Sequence, residues 1–203
     1  MAGTAPLAAS TVPHPRRPFD SASGTVRHWY ENDLGWATVP AVPGEPLRLV
    51  TGVRFDVLEV PARAGVRALG HLAPGSPVAL QGDRMRLLVA AGSAEELPGL
   101  LAWLEWGAPA LGLDLRALGA GGAMDAPARP GPAGPVQGAA AWLRPPESGC
   151  EVEASLPTLS AMGGVGNAPD LVRLVNTVAT ECHRVRLRRV GRGPENGQAF
   201  ASS

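Results

Sequence analysis

Apolar and polar residues alternate in several short segments of the chain, a period typical of β-strands with one buried face. The clearest segment is VRFDVLEV at 53–60, where Val57 and Glu59 share one face and Asp56 and Leu58 share the other. SPVALQGDRMRLLVAAG predicts a β-hairpin, with strands 77–80 and 84–90 on either side of a turn that contains Gly. Further strands are predicted at 35–40, 47–52, 111–118, 123–127 and 139–146.

Helical spacing of apolar residues appears after the hairpin. Leucines at 97, 100, 101 and 104 predict a helix over 94–106, and Ser93 with Glu96 predicts a capping box at its start. Helices are also expected at 25–34, 62–72 and 169–188. Strands and helices in this order predict an α+β domain, with a mixed β-sheet and flanking helices.

Composition limits the extent of this domain. The chain of 203 residues contains 26 Gly and 21 Pro, a high share that implies long stretches of loop or disorder. The segments at 1–24, 128–138 and 191–203 have such a composition without apolar periodicity. We expect disordered tails at 1–24 and 191–203, and one domain over 25–190 with a soft Pro/Gly loop at 128–138.

The charged residues and cysteines bear on which partners and which cellular compartment we expect. The chain carries 18 basic and 18 acidic residues, and every basic residue is Arg, which excludes a Schiff-base lysine. A net charge of zero gives the whole chain no field that would collect nucleic acid. Cys150 and Cys182 are interpreted as separate reduced thiols. With no apolar leader and no run long enough for a membrane span, we expect a cytoplasmic protein with no membrane partner.

Acidic residues on predicted strands are the candidates for chemistry. Metal-dependent nucleotidyl transfer needs two or three carboxylates that converge on divalent ions. Asp56 and Glu59 are three residues apart and therefore face opposite sides of a strand, whereas Glu59 and Asp114 lie on strands that can be neighbours. The alternative is that each carboxylate simply pairs with an arginine such as Arg54, Arg86 or Arg116.

Four short segments follow one another along the chain in a recognisable order. They are WYENDLGWATVP at 29–40, TGVRFDVLEVPA at 51–62, QGDRMRLLVA at 81–90 and LDLRALGAGGAMDAPA at 113–128. Over about 100 residues, their order resembles the primase–polymerase (prim-pol) domain of the archaeo-eukaryotic primase superfamily.

The resemblance implies which positions correspond to the family's active site. Glu59 stands at the first metal carboxylate, Pro61 replaces the second, and Asp114 stands at the third. The family's nucleotide-binding histidine falls at Arg84 or Arg86, and Arg116 follows Asp114 as the family pattern requires. The resemblance therefore implies a vestigial catalytic site at Glu59 and Asp114, with phosphate contacts from the arginines at 84, 86 and 116.

Three functions follow as hypotheses. The favoured one is a catalytically degenerate prim-pol-like domain that binds a nucleotide, DNA or a replication-associated protein and requires no cofactor. The second is an active DNA primase–polymerase that holds Mg²⁺ or Mn²⁺ between Glu59 and Asp114. The third is a regulatory protein-interaction module without a nucleic-acid role. A candidate nucleic-acid patch lies near the end of the last helix, at Arg184, Arg186, Arg188 and Arg189.

Overall fold

The structure is a computed structural model. It describes residues 19–40, 42, 44–108, 111–131, 138–149, 151–159 and 169–190. Several predicted features lie outside the described residues: 1–18 of the expected disordered head at 1–24, the expected disordered tail at 191–203, 132–137 of the loop expected at 128–138, and Cys150. Among the described residues, no helix has the length and apolar character needed to cross a membrane.

The α+β class predicted from the sequence is confirmed. The helices are α1 (Phe19–His28), α2 (Ala62–Ala68), α3 (Ser93–Trp103) and α4 (Leu171–Val190). The strands are β1 (Arg48–Val50), β2 (Asp56–Pro61), β3 (Val78–Gln81), β4 (Arg84–Val89), β5 (Arg116–Leu118), β6 (Ala123–Asp125) and β7 (Ala141–Arg144). A π-helical turn at Trp29–Asp33 continues α1, and short 3₁₀ turns occur at Leu69–His71 and Val152–Ser155.

Five of the strands form the central sheet, in the order β5-β2-β4-β3-β7. β1 and β6 form a separate two-stranded ribbon, and all of these strand pairs are antiparallel. A parallel bridge joins Thr158 to Asp170, just before α4. The predicted hairpin is confirmed, because β3 and β4 pair around the turn that contains Gly82. Gly82 has a φ of 58°, which suits the first central position of a two-residue hairpin turn.

One face of the central sheet is covered by α2, α3 and α4. The residues of this interface are aliphatic or sulfur-containing and buried, among them Leu58, Val60, Met85, Leu87, Val89, Leu174, Val175 and Val178. α2 lies very close to β4, since a Cβ on Gly65 would come within 2.3 Å of the Met85 sulfur. This helix-covered face therefore forms the larger aliphatic core of the protein.

The opposite face carries an aromatic cluster. Trp29, Tyr30, Trp36 and Phe55 are buried there with the β1–β6 ribbon, and Trp142 packs against them. The rings of Trp36 and Phe55 lie 4.6 Å apart between centroids. The Tyr30 hydroxyl donates to the carbonyl oxygen of Pro127 at 2.7 Å and accepts from Trp142 Nε1 at 3.0 Å. The cluster therefore fixes the first helical segment to the sheet.

Some predicted elements begin or end elsewhere. α1 begins at Phe19, directly after Pro18, and not at Thr25, so the helix is longer at its N-terminal end than predicted. The predicted strand at 35–40 is wrong: Thr38 makes a single bridge to Leu49, between the left-handed Gly35 and Pro40, which lacks an N–H. The predicted strand at 111–118 forms only from Arg116, because Gly112 adopts a φ of 47°.

Candidate functional site

Glu59 lies in the middle of β2, between two neighbouring strands of the sheet. Its Cα is paired with that of Arg86 on β4 and with that of Arg116 on β5. Cross-strand partners project from the same face of a sheet, so the side chains of Arg86 and Arg116 leave the backbone on the same face as the Glu59 carboxylate. The prediction that the strand at 53–60 neighbours the strand that begins at 111 is confirmed for β2 and β5, although the pairing starts only at Arg116.

The turn before β2 fixes the strand against the β5–β6 loop. A Cβ on Gly52 would lie 2.3 Å from the Cα of Ala120, so only glycine permits this close approach of two backbone segments. The Thr51 hydroxyl donates to the carbonyl oxygen of Gly119 at 2.7 Å. The Thr-Gly pair of the sequence therefore positions β2 and, with it, Glu59.

Arg84 connects the two carboxylates that the sequence singled out. Its Nε lies 3.3 Å from Glu59 Oε1, and its Nη1 donates to Asp114 Oδ1 at 2.7 Å. Nη2 adds a hydrogen bond to the backbone oxygen of Glu59 at 3.3 Å. Burial lowers the pKa of Arg84, but the hydrogen bond and charge of Asp114, together with Glu59, outweigh burial and raise it above its usual value. Both carboxylates are therefore bound to one permanent cation.

Arg86 completes the arginine contacts of Glu59. Its Nε donates to Glu59 Oε2 at 3.1 Å, while its Nη1 is buried without a hydrogen-bond partner among the described residues. Arg116 is exposed and forms no ion pair with a described residue. The alternative that Glu59 pairs with an arginine is thus confirmed for Arg86. Arg54 instead pairs with Glu153 at 2.6 Å.

Asp114 does not lie on a strand, which corrects the sequence prediction. It precedes β5, in the segment that Gly112 turns away from the sheet. Its backbone oxygen accepts a weak hydrogen bond from Cys182 Sγ at 3.7 Å, and its Oδ2 lies 3.7 Å from Arg189 Nη1. Burial, followed by the charge of Asp114, raises the pKa of the Cys182 thiol to about 12. Cys182 is therefore a protonated core residue and not a nucleophile.

Asp56 has a role that the sequence did not indicate. It is fully buried on the helix-covered face, and its Oδ2 accepts a hydrogen bond from the Ala94 N–H at 2.8 Å. Asp56 therefore caps α3 from a strand 38 residues away. Among the described residues, Ser93 does not form the predicted capping box, and no arginine pairs with Asp56. Burial raises the pKa of Asp56, against the opposing effect of the backbone amides near it.

The four arginines of the predicted patch on α4 have different neighbours. Arg184 pairs with Glu181 at 2.6 Å, and Arg186 donates to the backbone oxygen of Leu111. Arg189 reaches Asp114, and Arg188 lines a cavity at the end of the helix. Arg189 therefore connects this cavity, through Asp114, to the sheet-face cluster, which comprises Glu59, Asp114, Arg84, Arg86 and Arg116.

A cavity of about 720 Å³ is lined in part by Arg189, which contacts Asp114. Its walls are the turn from β2 into α2, the β3–β4 turn and the last turns of α4, with Arg63, Asp83, Val185, Arg188 and Arg189 among the lining residues. Sequence reasoning missed Arg63 and Asp83. No local signal marks them, because the cavity exists only where α4 packs beside α2.

A pair of divalent ions does not fit the residues present. Such a pair needs several carboxylates, whereas Glu59 and Asp114 are two, both held by Arg84. Within the described ranges, no group of three or more His, Cys, Asp or Glu side chains is placed to hold a metal ion. The arrangement is suited to binding anions through guanidinium groups.

The chain was also compared with known proteins. No family model, no curated protein and no solved structure matches it.

Proposed function

We propose that this chain is a catalytically silent prim-pol-like domain that binds the phosphate groups of a nucleotide or nucleic acid. The observation that carries the proposal is the bridge that Arg84 forms between Glu59 and Asp114. A guanidinium group at this place neutralises the carboxylates and repels divalent cations. Phosphate, by contrast, is attracted by the arginines around it.

The local charge supports anion binding although the whole chain is neutral. Through Arg189, which contacts Asp114 and also lines the cavity, the sheet-face cluster and the cavity form one region. Six guanidinium groups and three carboxylates belong to it, an excess of three positive charges: Arg63, Arg84, Arg86, Arg116, Arg188 and Arg189, with Glu59, Asp83 and Asp114. Such an excess raises the local concentration of phosphate-bearing ligands.

Primer extension tests whether the domain is silent. We expect no template-dependent nucleotide incorporation with Mg²⁺ or with Mn²⁺, because neither the attacking nor the leaving oxygen would have a metal ion beside it. The matched variants are Asp114→Asn and Glu59→Gln, which keep the shape of the side chains. Incorporation by the wild type that disappears in either variant would establish an active enzyme and overturn the proposal.

A binding experiment in the presence of a chelator tests whether the domain binds phosphate groups without metal ions. We expect a labelled single-stranded oligonucleotide or a nucleoside triphosphate to bind without divalent ions and to bind more weakly as salt increases. Arg116→Ala should weaken this binding. Arg144→Ala, on the opposite edge strand of the same sheet, is the control and should leave it unchanged. If neither ligand binds at low salt, the domain has a different function.

A further inference from the structure

The residues that line the cavity at the end of α4 carry more positive than negative charge. Three guanidinium groups line it, from Arg63, Arg188 and Arg189, against the single carboxylate of Asp83. Arg63 and Arg188 are exposed, and neither has an ion-pair partner among the described residues. Like charges that share a cavity repel each other, and an anion between them removes that repulsion.

The walls of the cavity are held in place by the fold. The Ala62 N–H, at the start of α2, donates to the backbone oxygen of Asp83 at 2.7 Å and ties the β2–α2 junction to the hairpin turn. α4 packs against the sheet through buried residues such as Val178 and Cys182. A ligand that enters therefore meets backbone walls that are already in place and has to order only the exposed arginine side chains.

Favourable interaction with a helix dipole explains the positions of only some of the arginines that line the cavity. Arg188 and Arg189 fall in the last turn of α4, where cations interact favourably with the helix dipole. Arg63, however, lies in the first turn of α2, where a cation is unfavourable. Its presence opposite the end of α4 points to a common anionic ligand.

We propose that this cavity binds an oligophosphate group. A volume of about 720 Å³ falls within the range of small-molecule sites, which is roughly 300–1,000 Å³. Val185, Pro61 and Ala62 add apolar surface beside the arginines, suited to a base or a sugar. That the oligophosphate belongs to a nucleotide rests on the proposed function; the oligophosphate contact itself rests on the cavity alone.

Titration calorimetry of the full chain with inorganic tripolyphosphate, in chelator and at low salt, tests the site directly. Arg63→Ala and Arg188→Ala should each weaken binding by about tenfold, because each removes a charged hydrogen-bond donor. Arg67→Ala is the matched control: it removes the same charge one turn further along α2, from a residue that does not line the cavity. It should change the affinity little.

The variant Asp83→Asn should change the affinity for tripolyphosphate in the opposite direction to the arginine variants. It removes the one carboxylate of the cavity while leaving the backbone oxygen that accepts from Ala62, so tripolyphosphate should bind a few-fold more tightly. All four substituted side chains are exposed, and unchanged melting temperatures would show that the variants fold.

The outcomes separate this proposal from the proposed function. If tripolyphosphate does not bind, or if Arg63→Ala and Arg188→Ala match Arg67→Ala, the cavity site is overturned, even where an oligonucleotide still binds through Arg116. If tripolyphosphate binds as expected and no nucleotide or oligonucleotide does, the cavity site stands and the proposed function fails.

Discussion

The two faces of the central sheet differ in what they bury. The helix-covered face is aliphatic, and Asp56, which caps a helix, is the one buried acidic residue that the described part of the chain places there. The opposite face is aromatic where it meets Trp36 and Phe55, and charged where Glu59 meets its two arginines. Alternate residues of the single strand β2 supply both faces.

This difference indicates that the helix-covered face contributes most of the stability and that the charged part of the opposite face is the place for binding. Aliphatic burial against three helices contributes hydrophobic free energy in proportion to the apolar area that is removed from water. A carboxylate that is largely buried with two arginines contributes little net stability, since desolvation offsets much of the attraction. Such a charged cluster is more easily explained by a ligand or partner than by folding. The following substitutions test whether the two faces are as different as this comparison requires.

Leu87→Ala should cause the largest loss of stability. Leu87 lies on the central strand β4 and is fully buried under the helices, so its truncation leaves a cavity that costs about 2–5 kcal/mol of unfolding free energy. Urea unfolding followed by circular dichroism measures this value. Leu143→Ala, at a half-exposed position on the edge strand β7, is the control and should cost well under half as much. Equal losses in the two variants would show that the helix-covered face is not the main core.

Elements with local signals were predictable from the sequence. The hairpin follows from alternation around Gly82, and α4 follows from apolar residues three and four apart, such as Leu171, Leu174 and Val178. The opposite orientations of Asp56 and Glu59 follow from the two-residue period of a strand. The resemblance predicted that the strand of Glu59 neighbours the strand that begins at 111, and β2 and β5 are neighbours. Asp114, which the resemblance placed on that second strand, lies before it.

Contacts between distant parts of the chain were not predictable. Ser93 and Glu96 have the spacing of a capping box, yet the cap comes from Asp56, which tertiary packing brings to the start of α3. Arg84 is 30 residues from Asp114, and no local pattern distinguishes it from the other arginines as the residue that bridges two carboxylates. The cavity arginines come from α2 and α4, more than half the chain apart.

Tyr30→Phe tests the aromatic part of the second face and should have an intermediate effect. Burial raises the pKa of Tyr30, so its hydroxyl stays protonated and donates to Pro127 while accepting from Trp142. Removing the hydroxyl leaves the carbonyl and the indole N–H without their partner, at a cost of about 1–3 kcal/mol. A double-mutant cycle with Trp142→Phe should show coupling between the two residues. Strictly additive losses would mean that the hydrogen bond contributes nothing to stability.

Asp56→Asn addresses the one buried acid of the aliphatic face and should have the smallest effect. Because burial raises the folded pKa of Asp56, the stability that wild type derives from the protonated carboxyl is complete below the usual value of 3.8. It is lost as the pH rises through the higher folded pKa, since the ionised carboxylate must then be buried.

The asparagine variant keeps an oxygen that can accept from the Ala94 N–H but has no proton to lose. We therefore expect Asp56→Asn to gain stability relative to wild type as the pH rises above 3.8. Asp56→Ala should lose the cap at every pH, by about 1 kcal/mol. Unfolding free energies measured in urea at stepped pH give both differences, and effects of the other carboxylates cancel because all three proteins share them. Parallel pH profiles for wild type and Asp56→Asn would contradict the raised pKa. The cap alone would then account for the place of Asp56 in the aliphatic core.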